Sequence, residues 1–139
     1  MRILFAGTPE VGATVLTALL ESSHDVVGVL TQPDAPTGRG RKLAASPVAK
    51  VAEDNDVPLL KAESVRSEAT QAWIRERQAN AAAVVAYGQL LDSTVLSLLP
   101  LGWFNLHFSL LPAFRGAAPV QRAIESGVTD SGAVSYTHL

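Results

Sequence analysis

The chain is 139 residues long, 47% hydrophobic and 17% charged, with a formal net charge of −2. These values suit one α/β domain with a sizeable core; they exclude a disordered tail and a globally basic nucleic-acid binder, while a local basic patch stays open. Without cysteine there is no disulfide, thiolate nucleophile or cysteine zinc site. His24, His107 and His138 form no HExxH pattern, which points away from a dedicated metal site. No apolar run approaches the roughly 20 residues of a membrane helix. Met1-Arg2-Ile3-Leu4-Phe5 runs directly into a strand and lacks the apolar core and cleavage site of a signal peptide. A cytoplasmic location with no membrane partner is therefore expected.

Short apolar runs alternate with helix-length segments. Arg2–Ala6 is a buried-strand run ending at Gly7-Thr8-Pro9, where Thr8 is an expected N-cap and Pro9 a first helical residue. The helix runs to about Ser22, with Val15, Leu16, Leu19 and Leu20 on one stripe. Asp25–Leu30 is a second strand, and Gln32–Ala45 a long loop rich in Gly, Pro and basic residues. Ser46-Pro47 repeats the cap logic before another helix, Val57–Leu60 is a third strand, and Ser64–Gln78 is a helix carrying Trp73 and Ile74. Ala81–Ala86 has no charge, as a central parallel strand requires. Asp92–Leu99 is a short helix stopped by Pro100, Trp103–His107 a fifth strand, and Ala117–Glu125 a helix with Gly127 just beyond it. Ser131–Val134 begins a sixth strand that the chain leaves short, so a truncated sheet is expected, with residues 135–139 as a non-native tail.

This β-α alternation predicts a Rossmann-like, doubly wound, mostly parallel sheet, incomplete at its C-terminus, with ligands at the carboxyl ends of the strands. The loops after Ala6, Leu30, Ala86 and His107 are then the ones to watch. Gly7-Thr8-Pro9-Glu10-Val11-Gly12 lacks the G-x-G-x-x-G register, which argues against a dinucleotide site.

Chemistry concentrates in Gly102–Arg122, G-W-F-N-L-H-F-S-L-L-P-A-F-R-G-A-A-P-V-Q-R. Strand alternation sends Phe104 and Leu106 to one face, and Asn105 and His107 to the other. Two readings stay open on spacing alone. One is a buried, hydrogen-bonded Asn with a structural His. The other is a catalytic pair, the amide donating to an oxyanion and the imidazole handling a proton.

The string N-L-H-x-S-L-L-P followed by R-G-A-A-P resembles the folate-dependent formyltransferases. Arg2–Pro9 (R-I-L-F-A-G-T-P), Thr31–Leu43 (T-Q-P-D-A-P-T-G-R-G-R-K-L) and Val84–Leu91 (V-V-A-Y-G-Q-L-L) are similar to the methionyl-tRNA formyltransferase branch of that family. The resemblance covers residues 1 to about 134, as an N-terminal catalytic domain without the family's C-terminal β-barrel. It implies formyl transfer from 10-formyltetrahydrofolate, without a metal, to the amino group of methionyl initiator tRNA, by a monomeric parent protein. Asn105 and His107 would be the catalytic pair. Ser109, Leu110, Leu111 and Pro112 would line the folate site, with Tyr87, Gly88, Gln89 and Leu90 as its pterin-side wall. Arg39, Arg41 and Lys42 would contact tRNA.

The sequence departs from the pattern at three places. Phe108 stands where a small residue is usual, and is expected either to crowd the formyl group or to point into the core. Ala113-Phe114 replaces a basic-aromatic pair, and Gln89 replaces an apolar residue. The family's catalytic Asp lies in a G-L-D-T-G-like turn that this sequence lacks, and Asp130 comes too early to replace it. An inactive or weak fragment is therefore expected. The competing readings are a glycinamide ribonucleotide or sugar-nucleotide formyltransferase, and a non-catalytic folate- or nucleotide-binding module.

Overall fold

The computed structural model describes residues 1–38 and 40–137. Its elements in chain order are β1 (Arg2–Gly7), α1 (Glu10–Leu20), β2 (Asp25–Thr31), β3 (Ala35–Thr37), β4 (Lys42–Ala44), α2 (Pro47–Asp54), β5 (Leu59–Lys61), α3 (Glu68–Glu76), β6 (Ala81–Val85), α4 (Ser93–Leu96), β7 (Trp103–His107), α5 (Pro119–Glu125) and β8 (Val134–Tyr136). Among the described residues, six strands form one sheet in the order β5-β2-β1-β6-β7-β8. The pairs from β5 to β7 are parallel, and β8 alone runs antiparallel, beside β7. Ser135 and Tyr136, expected in a tail, thus belong to an edge strand. His138 and Leu139 lie outside the described residues.

The chain winds outward from β1 through β2 to β5, then returns to β6 on the other side of β1. This reversal makes the Rossmann-like, doubly wound sheet, and its switch point lies between β1 and β6. Alternating residues of β1 serve two cores. Leu4 and Ala6 join Leu30, Val84 and Trp103 beneath Ile74 of α3 and Val95 of α4. Phe5 joins Val29 and Val85 beneath Leu16 of α1, and Val48 and Ala52 of α2. Trp103 is fully buried and donates its indole N–H to the Val95 carbonyl at 3.1 Å, which pins α4 to the strand that carries the site. No helix among the described residues is long and apolar enough to cross a membrane.

The caps explain where several elements differ from expectation. Ser46 caps α2 by accepting the Ala49 N–H at 3.0 Å, with Pro47 as first helical residue. Ser67 caps α3 in the same way, so that helix begins at Glu68 rather than Ser64. Thr8 does not cap α1. Pro9 occupies the N-cap position without a side-chain bond, and Thr8 Oγ1 instead donates to the Tyr87 carbonyl at 2.9 Å. The Gln32–Ala45 stretch, expected as a loop, contains the β3–β4 hairpin. Its ladder is too short to produce a readable alternation, and its tip turns through the left-handed Gly38 and Arg41 (φ 66° and 46°).

Gly7, where β1 meets the site, shows how closely the strands approach. A Cβ there would lie 2.7 Å from the buried Phe5 ring and 2.9 Å from the Val85 carbonyl oxygen. Neither neighbour has room to yield. Gly7→Ala is expected to cost about 1–3 kcal/mol through overpacking, read as a lower urea midpoint at unchanged slope. An unchanged midpoint would contradict this packing.

Candidate active site

β7 carries the candidate pair to the carboxyl end of the sheet. Trp103 points into the α3–α4 core, whereas Leu106 and Phe108 pack against the α1–α2 core. Alternation therefore puts Asn105 and His107 on the Trp103 side, opposite Phe104 and Leu106. Phe108 takes the core-directed placement, while still contributing to the wall of the adjoining cavity. His107 is buried, and its Nε2 lies 3.1 Å from the Phe114 carbonyl oxygen. A carbonyl only accepts, so this bond places a hydrogen on Nε2 and leaves the lone pair of the neutral ring on Nδ1. Phe114 adopts a left-handed φ of 53°, which no ordinary side-chain preference predicts. The Tyr136 ring meets the imidazole edge-on, with centroids 6.1 Å apart.

Two cavities meet at His107. The larger, about 520 Å³, is lined by Ala86–Leu91 on one side, by Asn105–Phe108 at its base and by Gly116–Pro119 across it. Its volume and mostly apolar lining fall in the range of small-molecule sites. The second, about 480 Å³, is lined by His107, Leu111, Pro112, Arg115, Gly116 and Tyr136. Among the described residues, neither cavity has a carboxylate in its wall. Asp130 is exposed, accepts a hydrogen bond from the Thr129 hydroxyl, and belongs to neither.

The expected lining residues thus divide. Tyr87, Gly88, Gln89 and Leu90 border the larger cavity with Asn105 and His107, and Leu111 and Pro112 border the second. Ser109 borders neither: it is fully buried and donates its hydroxyl to the Ala113 carbonyl at 2.7 Å, closing the turn that carries the His107 acceptor. Leu110 is also outside both linings, and lies against Gly132. Arg41 and Lys42 stand exposed on the hairpin, and the ion pairs among the described residues do not involve them. Arg39 lies outside the described residues.

Residue types alone did not single out the supports of this site. Thr8 and Gln32, from the loops after β1 and β2, both donate to the Tyr87 carbonyl, at 2.9 and 3.3 Å. Lys61 at the end of β5 pairs with Asp34 at 2.8 Å and with Glu53 at 3.4 Å, tying the hairpin base to the sheet. The hydrogen bond that Lys61 donates to the Asp34 carboxylate holds the Lys61 pKa above its usual value. The one available signal was position, since each of these loops follows a parallel strand at its carboxyl end.

A doubly wound sheet presenting an amide and an imidazole from one strand end into an apolar cleft defines an α/β domain built for small-molecule chemistry. The chain belongs to the formyl transferase family, whose sequence model matches residues 1–137. The methionyl-tRNA formyltransferase of Nocardioides sp. is 52% identical over 136 residues, covering 98% of this chain and 43% of that protein. That of Stutzerimonas stutzeri is 52% identical over 132 residues, covering 95% of this chain and 42% of that protein. The chain thus spans a little under half the length of the curated relatives it matches. Glycinamide ribonucleotide transformylase 1 from Symbiobacterium toebii superposes with a TM-score of 0.78 at 20% identity, covering 100% of this chain and 66% of that one. A formyltetrahydrofolate deformylase from Pseudomonas syringae pv. tomato gives 0.72 at 20% identity, over 99% of this chain and 46% of that one. These two structures share the fold.

Tyr87 links the larger cavity to the core. Its side chain is buried, its hydroxyl has no partner among the described residues, and burial pushes the phenol from 10.0 up to about 12. Because the folded-state value is raised, its contribution is complete below the unfolded value and is lost as pH rises through the folded one. Tyr87→Phe is expected to be neutral or stabilising at neutral pH. It should also remove part of the fall in unfolding free energy between pH 10 and 12. A loss of more than about 1 kcal/mol at neutral pH would mean that the hydroxyl has a hydrogen-bond partner.

Proposed function

We propose that the chain is the formyl-donor domain of an enzyme that moves a formyl group from 10-formyltetrahydrofolate to the amino group of methionyl initiator tRNA. The observation that carries this reading is the placement of Asn105 and His107 together, at the base of an apolar cleft walled by the Tyr87–Leu90 turn. The names of the relatives near 50% identity favour the tRNA acceptor over the glycinamide ribonucleotide acceptor, which is named for structures near 20% identity. Residues 1–134 supply this domain on our reading, with Ser135 and Tyr136 continuing its edge strand.

The cleft fits a flat, largely apolar ring system, because left-handed Gly88 (φ 87°) lets backbone polar groups come close to the ligand edge. The donor supplies an electrophilic formyl carbon. The amine nitrogen bonds that carbon as its bond to the folate nitrogen breaks, and the one proton that the amine gives up ends on the leaving folate nitrogen. Asn105 donates from its amide to the formyl oxygen as negative charge grows there. His107 is held through Nε2 by the Phe114 carbonyl, which leaves Nδ1 to take the amine proton or, once protonated, to stabilise the same oxygen. The second cavity shares His107 with the first, so an acceptor entering there would reach the formyl group from the Arg115 side. Arg41 and Lys42 serve tRNA phosphates from the hairpin, which Asp34 and Lys61 hold to the sheet, and Arg39 serves them too on our reading of the sequence.

Joining this chain to the C-terminal remainder of the Nocardioides relative is expected to give formyl transfer to methionyl initiator tRNA. Asn105→Ala should then lower the transfer rate about 10²–10³-fold. Equal rates with and without Asn105 would remove it from the chemistry. In the same protein, Arg41→Ala is expected to weaken tRNA binding and to lower the slope of log affinity against log salt by about 1. An unchanged affinity and slope would remove the hairpin from the tRNA surface.

A further inference from the structure

We propose that Gln89 is a positioning residue whose carboxamide clamps the 86–91 wall of the larger cavity onto the loop after β5, and so sets the width of the donor slot. This deepens the donor-binding reading and rests on it.

The wall has no regular structure of its own. Residues 86–91 lie between β6 and α4, with left-handed φ values of 48° at Ala86 and 87° at Gly88, and Leu90 is 87% exposed. No sheet ladder fixes such a segment, so its position depends on side-chain bonds to its neighbours. Thr8 and Gln32 hold one end through the Tyr87 carbonyl. Gln89 holds the other. Its Oε1 accepts the Val65 N–H at 2.6 Å, and its Nε2 donates to the Ala62 carbonyl at 2.8 Å and, more weakly, to the Glu63 carbonyl at 3.5 Å.

The chemistry of the two partners explains why a carboxamide stands here. Ala62 and Val65 are both buried, so the N–H and C=O they present toward the wall need protein partners. A carboxamide offers an acceptor and a donor on one group. Leucine offers neither. Glutamate offers only acceptors until it is protonated, and its anion would face the Ala62 carbonyl without a hydrogen between them. While this side chain reaches away from the cavity, the residue still contributes to the cavity lining. Gln89 therefore acts on the ligand through the wall that it holds.

The test uses the whole chain with 5-formyltetrahydrofolate, a stable isomer of the donor. Gln89→Leu and Gln89→Glu are compared with the parent sequence at pH 8 and pH 5, each affinity taken as a ratio to the parent at the same pH. The nearby titratable groups, Glu63 and Arg66 on the facing loop, Tyr87 on the wall and His107 at the base of the same cavity, are present in all three proteins and cancel in that ratio. Both variants are expected to bind about tenfold more weakly at pH 8. Facing the Ala62 carbonyl, the carboxyl introduced by Gln89→Glu is disfavoured as an anion, so it should take up a proton above the usual glutamate value of about 4.3 and donate to that carbonyl at pH 5. That variant should then regain most of the loss while Gln89→Leu does not. Hydrogen exchange at the Val65 amide reads the clamp separately and should accelerate in Gln89→Leu.

Unchanged Val65 exchange in a folded Gln89→Leu overturns the clamp. Faster exchange with unchanged affinity overturns its role in positioning. A parent chain that binds no folate at either pH, with the Val65 amide still protected, overturns the donor reading, and the positioning role falls with it while the clamp stands.

Discussion

The candidate site depends on a turn that cannot hold its own shape. After β6 the backbone leaves the sheet through left-handed conformations at Ala86 and Gly88, and at Ala86 this costs about 1–2 kcal/mol. The Tyr87 ring between them is driven into the α3–α4 core, which fixes the turn from below. Its carbonyl, out of the ladder, is held by donors from the loops after β1 and β2. The wall of the larger cavity is thus supported by the sheet's neighbouring loops rather than by any element of its own. This arrangement explains why a segment with so few polar side chains keeps a defined shape.

The other side of the cavity follows the same logic. Ser109 and His107 point from consecutive turns of the chain to the carbonyls of Ala113 and Phe114, so the loop after β7 is laced back on itself. That lacing fixes the imidazole and keeps a hydrogen on its Nε2. The Leu111–Pro112 peptide in this loop is cis. Trp103, two turns of the pleat earlier, anchors the strand through the Val95 carbonyl. The chemistry proposed at Asn105 and His107 requires both anchors, because an oxyanion donor misplaced by a fraction of an ångström loses much of its effect.

Much of the fold was legible because its cues are local. Trp103–His107 is read with its observed bounds, since its polar residues Asn105 and His107 alternate with apolar ones and it sits between Gly102 and the loop that carries Pro112. Ser46-Pro47 and Asp92 announce their helices through ordinary caps. Thr8-Pro9 carries the same signal and does something else, because the Tyr87 carbonyl, 79 residues away in sequence, competes for the Thr8 hydroxyl. The β3–β4 hairpin was hidden by its short ladder and its glycines. At the site, the Asn105 and His107 pairing was visible in the strand period. The roles of Ser109, Gln32 and Gln89 were not, since each depends on a backbone group brought near only by folding.

The central claim is that a folate-type donor lies between the 86–91 wall and the end of β7. The most direct measurement is the backbone amide spectrum of the isotope-labelled chain during titration with 5-formyltetrahydrofolate. Saturating shifts are predicted at residues 86–91, 105–108 and 116–118, which line the larger cavity, with the hairpin amides unmoved. Shifts confined to the hairpin, or none at millimolar ligand, would contradict the account.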